Sequence, residues 1–221
     1  MQTFNPRGAG PNVTPMTTAT FHPIPDTGGL NALASATAAA VEVNPSAAVL
    51  VVGAQAQPAG AVGSEITVGT RRVRVDEPAA LGGGGEAPNP VEYYLSALLS
   101  CQIVTYRFWA QRLGIEVSSL RASAEGDLDV HGFFGLDPTV RPGFQEIRVT
   151  VDIEGPATEE QYRELQRIVD EHCPVLDLTV EPTPVRTTLN VAGDLVIARL
   201  ITSSVEQKDI DSIQDEAEQA A

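Results

Sequence analysis

The chain of 221 residues carries 14 Lys and Arg against 29 Asp and Glu, a net charge of −15 and an isoelectric point near 4.4. Its hydrophobic content of 43% is enough for one sizeable core, so one domain with tails is expected. So acidic a surface repels phosphate backbones and anionic lipid alike, which argues against nucleic-acid and membrane partners.

Residues 1–27 hold Pro6, Pro11, Pro15, Pro23 and Pro25 with few large apolar side chains, and are expected to form a mobile arm. They lack the charged start, apolar stretch and cleavage site of a secretory signal. The longest nearly apolar run, residues 47–56, is too short to span a bilayer, so a cytoplasmic location is expected. Apolar spacing at Leu30, Leu33, Ala34 and Thr37 predicts a short helix over residues 30–43, ended near Asn44-Pro45. Residues 47–56 and 65–75 then read as two strands of a hairpin around Gln57-Pro58-Ala59-Gly60.

Gly82 to Gly85 and the rigid Pro88-Asn89-Pro90 lead into a helical stretch over 91–113, closed by Gly114. It is apolar on most sides, which places it at the centre of a fold. Residues 117–130 and 144–154 alternate as half-buried strands should, and are expected to pair around a loop over 131–143. Thr158-Glu159-Glu160 opens a second helix with Tyr162, Leu165, Ile168 and Val169 along one side, ending before Pro174. Residues 183–191 and 195–201 are expected closing strands. Residues 203–221, with six acidic side chains against Lys208, form an acidic tail. The domain proper thus spans residues 28–202.

The glycine run before the long helix has the look of a phosphate cradle, since free N–H groups at a helix start attract anions. It lacks the Lys and Ser/Thr of a P-loop, Glu86 would repel phosphate, and Pro88 and Pro90 remove two donors. A plain connecting loop is therefore expected. Neither a Gly-x-Ser-x-Gly elbow nor a His-Glu-x-x-His pair occurs. His22, His131, His172, Cys101 and Cys173 fall at no paired zinc spacing, so no metal is expected. Two cysteines make no disulfide scaffold in a chain of this length, which leaves an inert buried pair or a redox-active pair. Cys101 lies midway along the long apolar helix, and Cys173 sits where the second helix stops, in Glu171-His172-Cys173-Pro174.

Around these cysteines the chain resembles the OsmC/Ohr superfamily of thiol-dependent hydroperoxide reductases. The resemblance runs through Val75-Asp76-Glu77-Pro78, Leu81-Gly82-Gly83 and Ala87-Pro88-Asn89-Pro90-Val91-Glu92-Tyr93-Tyr94-Leu95. It continues through Ala97-Leu98-Leu99-Ser100-Cys101 and His172-Cys173-Pro174-Val175, covering roughly residues 41–189. It implies an α+β fold in which two central helices are wrapped by antiparallel sheets, assembled as an intertwined homodimer. It also implies a peroxidatic Cys101 that becomes a sulfenic acid, a resolving Cys173 that forms a disulfide with it, and an external dithiol reductant in place of a bound cofactor. Such a disulfide would close a span of 72 residues and stabilise the chain by about 4 kcal/mol in the chain-entropy model.

An apolar pocket from Tyr94, Leu98, Val104, Phe108 and Trp109 would favour organic hydroperoxides over hydrogen peroxide. The same residues also suit ordinary core packing. Family peroxidases carry a glutamate directly after the Asn-Pro pair; here that position is Val91, and Glu92 follows it. Nine helical steps put Glu92 about half a turn round from Cys101, so a role at the helix N-terminus stands beside a catalytic one. The family arginine near the first hairpin has no counterpart in residues 54–63, which leaves Arg71, Arg72, Arg74, Arg107 and Arg112 as candidates to activate Cys101. These departures keep a rival reading open, in which the chain is a binding protein or thiol carrier for a small hydrophobic or sulfur-containing ligand. A third reading gives the arm or tail a docking role.

Overall fold

Both long helices start on side chains that close their own first turns. In the computed structural model, which describes residues 29–191, α2 spans Pro90–Leu113 and α4 spans Glu159–His172. Asn89 accepts from the Glu92 backbone N–H at 2.9 Å while the Glu92 carboxylate accepts from the Asn89 N–H at 2.8 Å. Thr158 and Gln161 make the same reciprocal pair for α4. Each box satisfies two donors that a helix start otherwise leaves unpaired. Gly114 ends α2 at φ 66°, a left-handed cap that a side chain would strain. The expected arm over 1–27, strand over 195–201 and tail over 203–221 lie outside the described residues.

The chain divides into two units, Met1–Pro182 and Thr183–Ala221. In the first, α1 (Leu30–Val43) is followed by the antiparallel strands β1 (Ala54–Ala59), β2 (Gly63–Val68) and β3 (Arg71–Val75) in the order β1-β2-β3. After α2 come β4 (Ser119–Leu128), the single helical turn α3 (Val130–Phe133) and β5 (Phe144–Glu154). β4 and β5 pair antiparallel from Ser119 opposite Glu154 to Leu128 opposite Phe144. Then α4 and a further helix, α5 (Pro174–Val180), meet at Cys173. The architecture is thus a mixture of helices and antiparallel sheet. In the second unit, residues 183–191 form no strand, contrary to expectation. Among the described residues, no helix is long and apolar enough to cross a membrane.

The core gathers where α2 crosses α4 beneath the β4–β5 ribbon. Tyr106 and Ala110 of α2 meet Leu165 and Val169 of α4, with Trp109, Val151 and Ile153 packed against them. The i, i+4 spacing within each helix brings both members of each pair to one face. The opposite side of α2 is bare: Ser96, Ala97, Ser100 and Val104 are exposed, Val104 at 64%. The expectation that this helix is enclosed on most sides is therefore met on one side only within the chain.

The first hairpin differs from its expected form for a traceable reason. Residues 65–75 do not make one strand; they fold back at Gly69, at φ 58°, and Thr70 into β2 and β3. β2 therefore ends at Val68, opposite Ala54, and residues 49–53 have no partner residues left in it. Val49, Leu50, Val51 and Val52 stand exposed outside the sheet, where strand had been expected from residue 47. The turn also lies beyond Pro58, which pairs with Ser64 inside β1. Proline is tolerated there because β1 is an edge strand.

The glycine-rich loop behaves as a connection, with its own internal anion. The Asp76 carboxylate, 9% exposed, accepts from the backbone N–H groups of Glu77, Gly84 and Glu86 at 2.9–3.1 Å. Gly83 passes so close to the Glu77 carbonyl that no side chain fits. The amides a phosphate would need are thus occupied. The bonds from Glu86 and Glu77 lead in holding the Asp76 carboxyl below its usual range. A lowered folded-state pKa contributes stability that is present above the ordinary carboxylate range and lost as pH falls through the folded value. Asp76→Asn is therefore expected to lower the melting temperature at neutral pH and to lose less on acidification than wild type. Thermal melts of both proteins from neutral to acid pH check this; parallel curves would leave the Asp76 charge no role.

Candidate functional site

Cys101 sits in the middle of α2, one turn before the buried Thr105 and Tyr106, and is partly exposed. Cys173 is the last cap of α4 and the first of α5 at once, and is 1% exposed. Pro174 at the first position of α5 forces this break, since its ring is compatible with a helix start but not a helix interior. At this break the Cys101 thiol and the Thr105 hydroxyl are near enough to act on the Cys173 thiol. Cysteines 72 positions apart in the chain thus face each other, both as free thiols.

Burial pushes the Cys173 thiol above its ordinary pKa, and the neighbouring Cys101 acts in the same direction. The Leu176 backbone N–H at the start of α5 and the Thr105 hydroxyl act against it. Burial thus favours the neutral form of the Cys173 thiol. Thr105 is fixed by its own hydroxyl, which donates to the Cys101 carbonyl at 2.8 Å.

A cleft of 590 Å³ opens on the Cys101 side of α2, bounded by β5 and α5. Val91, Tyr94 and Leu98 form its α2 wall, at spacings that continue one turn later to Cys101. Tyr94 and Thr179 bridge the two helices, their hydroxyls 2.7 Å apart. Phe144 lies against the Tyr94 ring with centroids 6.2 Å apart, and Arg141 and Glu146 bring the charged groups to the lining. The wall is otherwise mostly apolar, the composition of a site for a small apolar ligand.

Of the expected pocket residues, Tyr94 and Leu98 line this cleft, whereas Val104 and Phe108 do not. Val104 lies on the bare side of α2, and Phe108 packs edge-on against Trp109 at 5.7 Å. Trp109 in turn packs tilted against the His172 ring with centroids 4.5 Å apart, and neither residue lines the cleft. Glu92 is drawn into the capping box and stays exposed at the helix start, so the N-terminal role is the one its geometry serves. Val91, which holds the family glutamate's position, contributes a methyl surface to the cleft instead of a carboxylate.

The arginines are dispersed. Arg74 pairs with Glu86 at 2.7 Å, and Arg71 and Arg72 are exposed on β3. Arg112 covers the Phe108 and Trp109 rings at 5.9 and 5.5 Å, and Arg107 is half-buried on α2. Two site residues escaped the sequence reading, Thr105 and Thr179. The signal for Thr105 was available, as a polar side chain four residues after Cys101 on an otherwise apolar face. Thr179 belongs to α5, which was not expected at all. Among the described residues, no group of three His, Cys, Asp or Glu side chains gathers as a metal site would require.

Comparison with known proteins bears on this arrangement. The family model described as OsmC-like protein matches residues 83–188, a segment that includes both cysteines. No curated protein matches the chain. Among solved structures, an OsmC-like protein from Mycoplasma pneumoniae superposes with a TM-score of 0.53 at 19% identity, over 65% of this chain and 96% of that one. An organic hydroperoxide resistance protein OsmC from Legionella pneumophila is 21% identical, with a TM-score of 0.48 over 65% of this chain and 98% of that one. Similarly, an organic hydroperoxide resistance protein from Elizabethkingia anophelis is 19% identical, with a TM-score of 0.49 over 61% and 91%. Residues 83–188 thus match the OsmC-like protein family model, and the chain shares the fold of the OsmC-like protein from Mycoplasma pneumoniae.

Proposed function

We propose that the protein is a thiol-dependent peroxidase that reduces organic hydroperoxides, with Cys101 as the attacking sulfur and Cys173 as the resolving one. The observation that carries this reading is the facing of the two thiols across the α2–α5 contact. In the first step the Cys101 thiolate attacks the terminal peroxide oxygen; the O–O bond breaks, an alcohol leaves, and Cys101 becomes a sulfenic acid. In the second, Cys173 displaces hydroxide from that sulfur, water is released and the disulfide forms. An external dithiol then returns both sulfurs to thiols, and no bound cofactor takes part. The apolar cleft ending one turn from Cys101 suits the organic group of the hydroperoxide. A homodimer, as the superfamily resemblance implies, would cover the bare side of α2 carrying Val104.

Intact mass with thiol counting, before and after one equivalent of cumene hydroperoxide, tests this in wild type and Cys101→Ser. Wild type is expected to lose two thiols and two hydrogens, and Cys101→Ser neither. Two unreacted thiols in wild type at physiological pH would overturn the proposal. A second reading, a binding protein or thiol carrier for a small hydrophobic ligand, rests on Val91 facing the cleft where the family has a carboxylate. That outcome, together with a ligand co-purifying in the cleft, would select it.

A further inference from the structure

Arg141 stands in the wall of the cleft without an acidic partner. The chain has 29 acidic residues for 14 basic ones, yet among the described residues no carboxylate pairs with this guanidinium. It rests instead over Gly143, which lines the same cleft: a Cβ added at Gly143 would stand 3.6 Å from Nη2 and 4.0 Å from Nε. The turn that carries it is held from two sides. The Gln145 side-chain amide donates to the Arg141 and Gly143 carbonyls, both at 3.1 Å. From α3, Gly132 comes so close that a side chain there would strike the Arg141 carbonyl.

Other polar side chains at this end of the cleft are already engaged. The Thr179 hydroxyl donates to the Val175 carbonyl at 2.7 Å, so its bridge to Tyr94 uses the Tyr94 hydrogen. Both Gln145 amide hydrogens go to the turn. Glu146, the acid in the lining, pairs with Arg148 at 3.1 Å. What remains beside the apolar wall is a cation with its donors free.

We propose that the cleft takes organic acids, molecules with an apolar body and a carboxylate, and that Arg141 is the residue that selects them. The guanidinium matches a carboxylate with two parallel N–H bonds. The apolar body lies along Val91, Tyr94, Leu98 and Phe144. Phe144 adjoins Gly143 and packs on the Tyr94 ring, and Tyr94 precedes Cys101 by seven residues. That separation is about 10 Å along the helix, which sets the order of the distance between the carboxylate and the end of the ligand near the sulfur. The ligand class stands on the cleft alone; a preference for hydroperoxides that carry a carboxylate rests on the peroxidase reading.

The test compares cumene hydroperoxide with its para-carboxyl derivative as substrates of the full chain, in wild type and in Arg141→Gln, Arg141→Glu and Arg141→Lys. Arg141 is exposed, so these substitutions leave the core untouched. The readout is the ratio of kcat/KM for the acid over the neutral hydroperoxide. Arg141→Gln is expected to lower it about fivefold, the size of one ion pair at a partly open site. Arg141→Glu should lower it further, and Arg141→Lys should lower it less than Arg141→Gln. Binding is measured apart from peroxide, by titrating the reduced protein with 4-isopropylbenzoate and with the uncharged 4-isopropylbenzamide while following the backbone amide resonances of Gly143 and Phe144. Wild type should bind the acid more tightly than the amide, and Arg141→Gln should bind both alike.

A substrate ratio that Arg141→Gln and Arg141→Glu leave unmoved overturns the proposal. Benzoate binding no tighter than that of the amide in wild type, or binding that leaves Gly143 and Phe144 unshifted, also overturns it. If neither hydroperoxide is consumed, the peroxidase reading fails and the titration alone decides the ligand class. Tighter acid binding that is lost in Arg141→Gln then sustains the proposal, and any other result overturns it.

Discussion

Cys173→Ser is expected to take up one oxygen atom per chain from a hydroperoxide and to stop there until reductant is added. Cys101 lies in the partly open position and Cys173 in the closed one, so the first sulfur reacts whether or not the second is present. Without Cys173 no thiol faces the sulfenic acid, and it persists long enough to be trapped by a 1,3-dione or to pass to the sulfinic acid under excess peroxide. Wild type treated in the same way is expected to carry no trappable sulfenic acid, because Cys173 is near enough to Cys101 to act on it. Intact mass distinguishes the two: one oxygen gained in the variant, two hydrogens lost in wild type. A variant that lost its remaining thiol without gaining oxygen would mean an intermolecular disulfide, and Cys173 would then be dispensable for resolution.

Leu165→Ala is expected to cost about 2–5 kcal/mol of folding stability, the largest loss of any substitution considered. Leu165 is 0% exposed and sits between Tyr106 and Ala110 of α2 and Val169 of its own helix. The backbone around it is tied down by the Thr158 capping box at one end of α4 and the α5 joint at the other, so little of the resulting void can collapse. In a protein of this size the melting temperature would fall by roughly 4–20 °C. The substitution also reaches the site, since α4 carries Cys173 on its last turn. Disulfide formation should slow in Leu165→Ala even below its melting temperature. Calorimetric unfolding measures the first effect and rapid quenching the second; a loss below about 1 kcal/mol would show that α4 repacks freely against α2.

The parts of the fold that could be read in the sequence are those whose causes are local. α1, α2 and α4 end where Asn44-Pro45, Gly114 and Pro174 end them, and both capping boxes are visible as residue pairs three apart. β5 keeps its expected bounds because alternation of core and solvent sides runs through all of it. The missed parts depend on partners. Val49 to Val52 have strand composition, but the turn at Gly69 shortens β2 and leaves them nothing to pair with. α5 is hidden in the sequence because Pro174 reads as the end of one helix, and it is also the start of the next. For the site, the two cysteines were legible as motifs, whereas Val104 and Phe108 were assigned by their apolar character without knowledge of which side of α2 faces the cleft. Glu92 was within reach of correct assignment from its spacing to Asn89 alone, since a glutamate three residues after the cap closes a box.

Trp109 is the chain's one tryptophan, and its indole packs against the ring of His172, the residue that precedes Cys173. Arg112 covers the same indole from its own helix. A disulfide formed at Cys173 would be expected to act through one peptide link on the surroundings of the chain's one indole. Tryptophan emission would then serve as an internal optical gauge of the thiol state.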